Sequence, residues 1–402
     1  MMRKDLLIRH TRRLLGEFVA PMLDAVDKPR KRFLQQAIRG ILFSGSLVVM
    51  ELSRWIQDDC SDRFYRVKRL LNHLASPEGD LTAAVKSYRQ AVSSHIPADT
   101  ALILDLTDVA KPRAKRMPYL ALVRDGSEKQ LVKGYWCIEV YAYLKDKRVM
   151  PLAMEVYGIP DPAVGSENLQ IERVVTAVHE DLAGKGIWVA DAGLDRLEAY
   201  ETWFSLNAQF IVRQRGDRTI LTPSGTRMIL RDYVDHLYQQ GSHDVHGHRI
   251  VWGQVHLPDH PNRPLSVVAS WRPGRDEPMI LLTTQVVETL DQARQVLQYY
   301  KKRWTCEEAV QFLKSRVGLE RFRVRRYEAM RRLAILAMLA MGFLTWILLR
   351  SRDVTKRLLA WTSRFRREGS FLYYRLLDGL QEFVRLHPMA LTRLPPKSRQ
   401  NG

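Results

Sequence analysis

Four polar residues at fixed spacing could together bind a metal ion and a phosphate group. They are Tyr300, Arg303, Glu307 and Lys314. The surrounding segment predicts a helix, because Pro and Gly are absent from Glu288 to Val317. At about 100° per residue, the four side chains fall within an arc of about 60°. The carboxylate would bind the metal and the cations would bind phosphate oxygens. The alternative is a solvated helix face held by ion pairs between successive turns.

Two upstream acids each follow a short apolar run. Residues 100–104 lead into Asp105, and residues 186–190 lead into Asp191. Both runs predict buried strands with a carboxylate at the carboxyl end. Asp108 is an alternative to Asp105 in this position. Three carboxylates brought together do not all ionise cheaply without a cation. Mg²⁺ prefers such oxygens, and a pair of ions can drive in-line displacement at phosphorus.

The pattern Tyr-x2-Arg-x3-Glu-x6-Lys resembles the signature of the insertion-sequence-four family of bacterial DDE transposases. Asp105-Leu-Thr and Asp191-Ala-Gly-Leu-Asp are similar to the family's other two acid contexts, with Leu194 where the family has Phe. The resemblance implies that Asp105, Asp191 and Glu307 are catalytic and bind two Mg²⁺ ions, with Mn²⁺ as a substitute. It also implies that DNA phosphates bind to the rest of the signature, namely Tyr300, Arg303 and Lys314.

The function implied by the resemblance is DNA transposition. Such an enzyme binds the terminal inverted repeats of double-stranded DNA, cuts as an endonuclease at the element ends, and transfers the 3′-hydroxyl ends into target DNA. A homodimer in a synaptic complex, in the bacterial cytoplasm and associated with the nucleoid, is also implied. Met279 stands where some members carry a base-stacking Trp, which leaves hairpin excision open. Trp252 or Trp271 could substitute for it.

Composition independently indicates a polyanionic partner. The 402 residues carry a net charge of +19, with a pI near 9.9. The three cysteines are far apart and predict neither a zinc site nor a disulfide framework. One apolar run, Leu333 to Leu349, is at the lower length limit for a membrane span. Arginines flank it on both sides, so we expect a buried helix and no membrane.

The order of predicted elements favours an α/β fold. We expect an RNase H-like catalytic core with an all-β insertion, flanked by N- and C-terminal helical domains. The expected boundaries are a helical DNA-binding domain over 1–97, the first part of the core over 98–213, the β insertion over 214–285, the catalytic helix and a basic track over 286–332, and a helical region over 333–402.

Basic residues mark two stretches as candidate DNA contacts. The N-terminal helices interleave arginines such as Arg63, Arg66 and Arg69 with apolar residues. The basic track after Lys314 contains Arg316, Arg321, Arg323, Arg325, Arg326, Arg331 and Arg332. Two other functions remain open from the sequence. One is an RNase H-like structure-specific nuclease or resolvase, and the other is a non-catalytic DNA-binding relative.

Overall fold

A computed structural model describes residues 4–56, 62–124, 130–362 and 371–387. The N-terminal part is helical, as its three- and four-residue apolar steps predict. Its helices are α1 (Lys4–Asp24), α2 (Lys28–Ser44), α3 (Val49–Leu52), α4 (Arg63–Ala75) and α5 (Thr82–Ser93). Asp27 and Asp62 cap α2 and α4 by accepting backbone N–H groups. These helices bury their apolar faces in the same core as the sheet.

The centre of the molecule is a mixed sheet, which has twelve strands over the described ranges. The first six are β1 (Ala101–Ala110), β2 (Ala121–Arg124), β3 (Leu131–Tyr143), β4 (Val149–Tyr157), β5 (Ile187–Ala190) and β6 (Gln209–Gln214). Helices α6 (Glu167–Asp181) and α7 (Leu197–Ser205) connect β4, β5 and β6. Strands β1, β5 and β6 are parallel, while β3 is antiparallel to β1. Short buried strands separated by helices therefore form the expected parallel centre.

Strand β1 is longer than the sequence predicts. The expected strand ends at Asp105, but β1 continues to Ala110. The reason is its partner, because β3 pairs with β1 from Leu102 to Ala110 while β5 pairs only as far as Leu104. Asp105 therefore lies in mid-strand, at the point where the parallel partner ends.

Residues 214–285 are not all-β, so this prediction is wrong at one element. They contain β7 (Thr219–Leu221), β8 (Arg227–Ile229), α8 (Leu230–Gln240), β9 (His243–Val245), β10 (His248–Leu257), β11 (His260–Trp271) and β12 (Met279–Thr283). Helix α8 buries Leu230, Tyr233 and Val234. Their spacing of three and four residues is a helical period that the surrounding Gly and Pro residues obscured. Strand β12 pairs with β6, so the sheet continues without a break into this segment.

The single helix predicted between Glu288 and Val317 is interrupted twice. Its pieces are α9 (Leu290–Lys301), α10 (Trp304–Phe312) and a π-helical turn at Leu313–Val317. Between α9 and α10 the backbone bonds span three residues instead of four, as in Arg303 N–H to Tyr300 C=O at 3.0 Å. Local 3₁₀ and π geometry inside helices often marks functional sites.

The most apolar helix, α11 (Tyr327–Arg350), is a core helix. It is long and apolar enough to cross a membrane, but 83% of its most apolar window is buried inside the protein. Thr345 binds the Val149 carbonyl of β4 at 2.8 Å. Helices α12 (Arg352–Thr362) and α13 (Leu372–Leu386) follow. The rest of the predicted C-terminal helical region, residues 363–370 and 388–402, lies outside the described residues.

Candidate active site

The two aspartates lie side by side at one edge of the β1–β5 pair. Leu104 is in register with Ala190, and Asp105 and Asp191 are the next residues of the two segments. The Asp191 carboxylate accepts the Gly193 backbone N–H at 2.8 Å and so caps a short turn. A Cβ atom on residue 193 would lie 3.0 Å from Asp191 Oδ1. Glycine therefore lets this turn close tightly around the carboxylate.

Arg303 joins the first acid to the third. Its Nη1 lies 3.5 Å from Asp105 Oδ1, and its Nη2 donates to Glu307 Oε1 at 2.8 Å. The side chains of Arg303 and Asp105 are 12% and 16% exposed, whereas that of Glu307 is 58% exposed. The tightened turn between α9 and α10 places Arg303 over the end of the parallel strands. One guanidinium thus balances two carboxylates at the sheet edge.

The pKa of Asp105 reflects this crowding. Its surroundings together raise the pKa to about 6: burial contributes most, the negative charges of Asp191 and Glu307 add to the increase, and Arg303 opposes it. The Cys306 thiol also lies 3.5 Å from Asp105 Oδ2, within hydrogen-bonding range for sulfur. Burial alone would lower the pKa of Arg303, but the nearby acidic groups, of which Asp105 has the largest effect, together more than reverse that shift. The site therefore has more negative charge than its one guanidinium neutralises.

The donor chemistry fits a divalent cation, and the observation that supports this is the raised pKa of Asp105 between two other carboxylates. Asp105, Asp191 and Glu307 offer only oxygens, which Mg²⁺ prefers. Over the described ranges, however, no three acidic, His or Cys side chains converge closely enough to form a ligand set. Arg303 lies between Asp105 and Glu307. A cation bound by all three carboxylates would therefore require the Arg303 guanidinium to move out from between Asp105 and Glu307.

Tyr300 lies beside the arginines. Its hydroxyl is buried and faces the guanidinium groups of Arg303 and Arg213. Burial raises its pKa, while the positive charges of Arg303 and Arg213 lower it. Arg213, near the end of β6, was missed by the sequence reasoning. Strand order would have found it, because β6 is the parallel neighbour of the strand that carries Asp191.

Lys314 is brought to the same sheet but to a different partner. Its Nζ lies 3.0 Å from Asp108 Oδ1 and 3.0 Å from Glu320 Oε1. The π-helical turn directs it toward β1. Asp108 is almost fully buried and paired, whereas Asp105 lies with Asp191 and Glu307. Asp105 is therefore the aspartate of β1 that lies near Asp191 and Glu307, and Lys314 bridges β1 and the chain after α10.

A family model described as a transposase DDE domain matches residues 98–343, which is more than half of the chain. The chain belongs to the transposase DDE domain family. The matched residues include all three acids and the whole of the four-residue signature. No match was found among curated proteins. The resemblance to a DDE transposase seen in the sequence is thereby confirmed at the level of the family.

Beyond its acids, the transposase domain carries an extended arginine segment, which we define as residues 321–326. Phe322 and Val324 are buried in it. The other four residues are exposed, namely Arg321, Arg323, Arg325 and Arg326. Alternate residues of an extended chain point to opposite sides. The predicted basic track thus presents its charges outward here.

Lys111 fastens the arginine segment to the end of β1. Its Nζ donates to the Glu320 carbonyl at 2.6 Å and to the Phe322 carbonyl at 3.3 Å, and it lies 3.3 Å from the centre of the Phe322 ring. Burial lowers the Lys111 pKa to about 8. Beside this contact is a cavity of about 810 Å³, whose cationic lining residues include Arg113 and Arg321.

Three other arginines of the predicted basic track have structural partners. Arg316 pairs with Asp378 of α13 at 2.7 Å, and Arg331 pairs with Glu155 of β4. Arg332 is buried and donates to the His73 and Leu74 carbonyls. These side chains hold helices together, so the track available for DNA is shorter than the sequence predicts.

The sequence reasoning also missed Glu139. It stands directly opposite Asp105 on β3 and is fully buried. Its Oε2 accepts the Tyr141 hydroxyl at 3.0 Å. Burial, followed by the nearby negative charge of Asp105, raises its pKa to about 8. The signal was present as a single acid within an otherwise apolar strand.

The tryptophans proposed as substitutes for the base-stacking residue both pack against other rings. Trp252 stacks on His243 with ring centres 4.8 Å apart, and Trp271 packs on Tyr238 at 4.6 Å. Met279 begins β12 opposite Ser270 and is partly buried. Trp304, which follows the break at Arg303, is 47% exposed.

Proposed function

We propose that this chain is the transposase of a bacterial insertion sequence of the insertion-sequence-four group. It binds the terminal inverted repeats of its element, cuts DNA at the ends, and transfers the 3′-hydroxyl ends into target DNA. The observation that carries the proposal is that Asp105 and Asp191 lie side by side where the parallel pairing of β1 and β5 ends. Arg303 pairs with both Asp105 and Glu307 and so brings the third acid to the same place.

Asp105, Asp191 and Glu307 are the residues that would hold two Mg²⁺ ions. When bound, such ions lower the pKa of an attacking water or hydroxyl and stabilise the leaving oxygen in an in-line displacement. Glu307 is exposed enough to turn toward the two aspartates once its bond to Arg303 is released. Arg303 neutralises the acids before metal arrives and is then available for a DNA phosphate.

Phosphate binding is assigned to two groups of side chains. In the first group, Arg213 and Arg303 lie beside the buried Tyr300 hydroxyl, and the two guanidinium groups together with that hydroxyl would bind phosphate oxygens. The arginine segment contacts the DNA backbone farther along, through Arg321, Arg323, Arg325 and Arg326. Lys314 acts mainly by holding Asp108 and Glu320, and thus the arginine segment, against β1.

The domain division is part of the proposal. The RNase H-like core would consist of residues 98–213 and 286–332. In it, β1 lies between antiparallel β3 and parallel β5, and β6 follows β5. Residues 214–285 are an inserted, mostly β segment that extends the same sheet. The helices of 1–97 would bind DNA, and those of 333–402 would complete the core. We propose a homodimer on paired DNA ends, located with the nucleoid in the cytoplasm.

DNA cleavage tests the proposal. The substrate is a labelled duplex that spans either boundary of the element carrying this gene, incubated with Mg²⁺ or Mn²⁺. We expect the wild type to nick at the boundary and to join the 3′ end to a second DNA. Asp191→Asn and Glu307→Gln should lose both steps while still binding the duplex.

Glu308→Gln is the matched control. Glu308 is next to Glu307 in the sequence, but its carboxylate pairs with Lys147 on the protein surface. It should cut like the wild type. Cutting that persists in Asp191→Asn, or an equal loss of binding and cutting in both acid variants, would refute the catalytic assignment. The products would also show directly whether a hairpin forms.

A further inference from the structure

Helix α4 is built with its cationic side turned toward the protein. Arg63, Arg66 and Arg69 donate to the Met50 carbonyl at 3.0 Å, the Ile56 carbonyl at 2.7 Å and Gln36 Oε1 at 2.9 Å, respectively. The sequence predicted DNA contacts from these arginines, and in the structure each of them donates to a neighbouring group of the protein. They fasten α4 to α2, to α3 and to the chain that follows α3.

The outward face of α4 is therefore unusually apolar. At about 100° per residue, its exposed side chains lie within an arc of about 120°. Phe64 is 68% exposed, Tyr65 64% and Leu71 37%. Lys68 and Asn72 complete the exposed arc. Such a face with a single charge indicates a binding surface more than a solvated helix.

The arginine segment borders this face across a groove. The groove has a volume of about 430 Å³ and is lined on one side by Leu71, Asn72, Ala75 and Ser76, and on the other by residues 323–326 and Ala329. Arg323, Arg325 and Arg326 therefore flank the end of α4. A negatively charged partner is favoured over a second copy of this chain, because two such cationic rims on chains of net charge +19 would repel each other.

We propose that the outward face of α4 enters the major groove of DNA and reads base edges, while the arginine segment binds the adjacent phosphates. The chemistry of the exposed arc matches this division. Asn72 suits adenine, Lys68 suits guanine, and the apolar Phe64 and Leu71 suit thymine methyl groups. The helix spans about 20 Å, and the major groove admits one helix. Phosphate contacts position a protein, and base contacts give it sequence preference.

This inference rests on the proposed function and is tested separately from cleavage. Binding is measured for two duplexes, one carrying the end of the gene's own element and one with the same composition in scrambled order. The ratio of the two dissociation constants is the preference. Asn72→Ala and Lys68→Ala should each reduce that preference by about tenfold and leave scrambled binding nearly unchanged.

Variants of the arginine segment should behave differently. Arg323→Gln and Arg325→Gln should weaken binding to both duplexes by the same factor and lower the salt slope by about one for each arginine. Lys86→Ala, on an exposed position of neighbouring α5, is the matched control and should change neither quantity. Circular dichroism and thermal melting check that each variant is folded.

Lysine labelling tests the same contact without a substitution. In the wild type, the element-end duplex should protect Lys68 from acetylation and leave Lys86 reactive. An unprotected Lys68, or a preference that survives in both Asn72→Ala and Lys68→Ala, would overturn the inference. So would a Phe64→Ala variant that loses dimerisation but keeps its preference. If the wild type still cuts at element ends in those cases, only the role of α4 fails.

Discussion

At the scale of single residues, the site contains more acidic than cationic side chains, so each cation pairs with two carboxylates. Arg303 forms ion pairs with Asp105 and Glu307, while Lys314 forms ion pairs with Asp108 and Glu320. Glu139 forms an ion pair with neither of these cations, and its buried carboxyl accepts a hydrogen bond from the Tyr141 hydroxyl. A buried carboxyl without a cation keeps its proton, since the charged form is costly in a low-dielectric environment.

Glu139 should therefore make folding sensitive to pH. Its pKa rises from 4.5 to about 8 on folding, so the native state holds a proton that the unfolded state releases. The stabilisation is fully present below pH 4.5 and is lost as the pH rises through about 8. Glu139→Gln mimics the protonated acid. We expect wild-type stability to fall by a few kcal/mol more than that of the variant between about pH 5 and about pH 8.

Urea unfolding at the two pH values, without divalent ions, measures this difference. Glu198→Gln, on the first turn of α7, provides a control that should follow the wild type. Equal slopes of stability against pH for wild type and Glu139→Gln would contradict a protonated Glu139. Asp105 also has a raised pKa, and it is present in both proteins. The difference in pH dependence between wild type and Glu139→Gln therefore reports the loss of the Glu139 carboxyl.

At the scale of elements, short interruptions position the chemistry. A 3₁₀ turn before α10 brings Arg303 over Asp105, and a π turn after α10 directs Lys314 to Asp108. The arginine segment has no secondary structure of its own, and its position depends on side chains. Lys111 is the main one, because it donates to the Phe322 carbonyl within that segment and to the Glu320 carbonyl just before it.

Lys111→Met should loosen the arginine segment. The substitution leaves the Glu320 and Phe322 carbonyls without their charged donor, which costs about 1–3 kcal/mol in stability. Amide hydrogen exchange should rise in residues 320–326 and change little in β5 and β6. Lys133→Met, at an exposed position of β3, is the control. Unchanged exchange in 320–326 would mean that Lys111 does not hold the segment.

At the scale of the whole molecule, the terminal helices and the sheet share one core. Helix α11 packs on both β4 and the N-terminal helices, and at Gly342 a side chain of another helix comes close to its backbone. A Cβ atom there would lie 2.5 Å from the Tyr88 hydroxyl of α5. That hydroxyl in turn donates to the Pro151 carbonyl of β4 at 2.7 Å. One glycine thus lets α5, α11 and β4 meet.

Gly342→Ala should destabilise the N-terminal helices and the sheet together. Overpacking of a close core contact costs about 1–3 kcal/mol, so a single melting transition should shift to lower temperature. Gly16→Ala is the matched control, because nothing lies near its Cβ position in α1 and helix propensity favours alanine. Separate melting of the N-terminal helices in Gly342→Ala would argue against the shared core.

The sequence by itself determined the family resemblance and much of the element order. The proposed acids Asp105, Asp191 and Glu307 came from local signals, namely apolar runs that end in an acid and a helical spacing of polar residues. The buried character of α11 also followed from its composition and its flanking arginines. These features depend on neighbours along the chain, so the sequence contains them directly.

Only the tertiary structure decided how the charges pair. Arg316, Arg331 and the arginines of α4 resemble DNA contacts in sequence, yet their partners come from distant helices and strands. Which of Asp105 and Asp108 lies beside Asp191 depended on where β5 stops and on the ion pair between Asp108 and Lys314. Such outcomes arise from long-range packing and pairing, which local propensity does not encode.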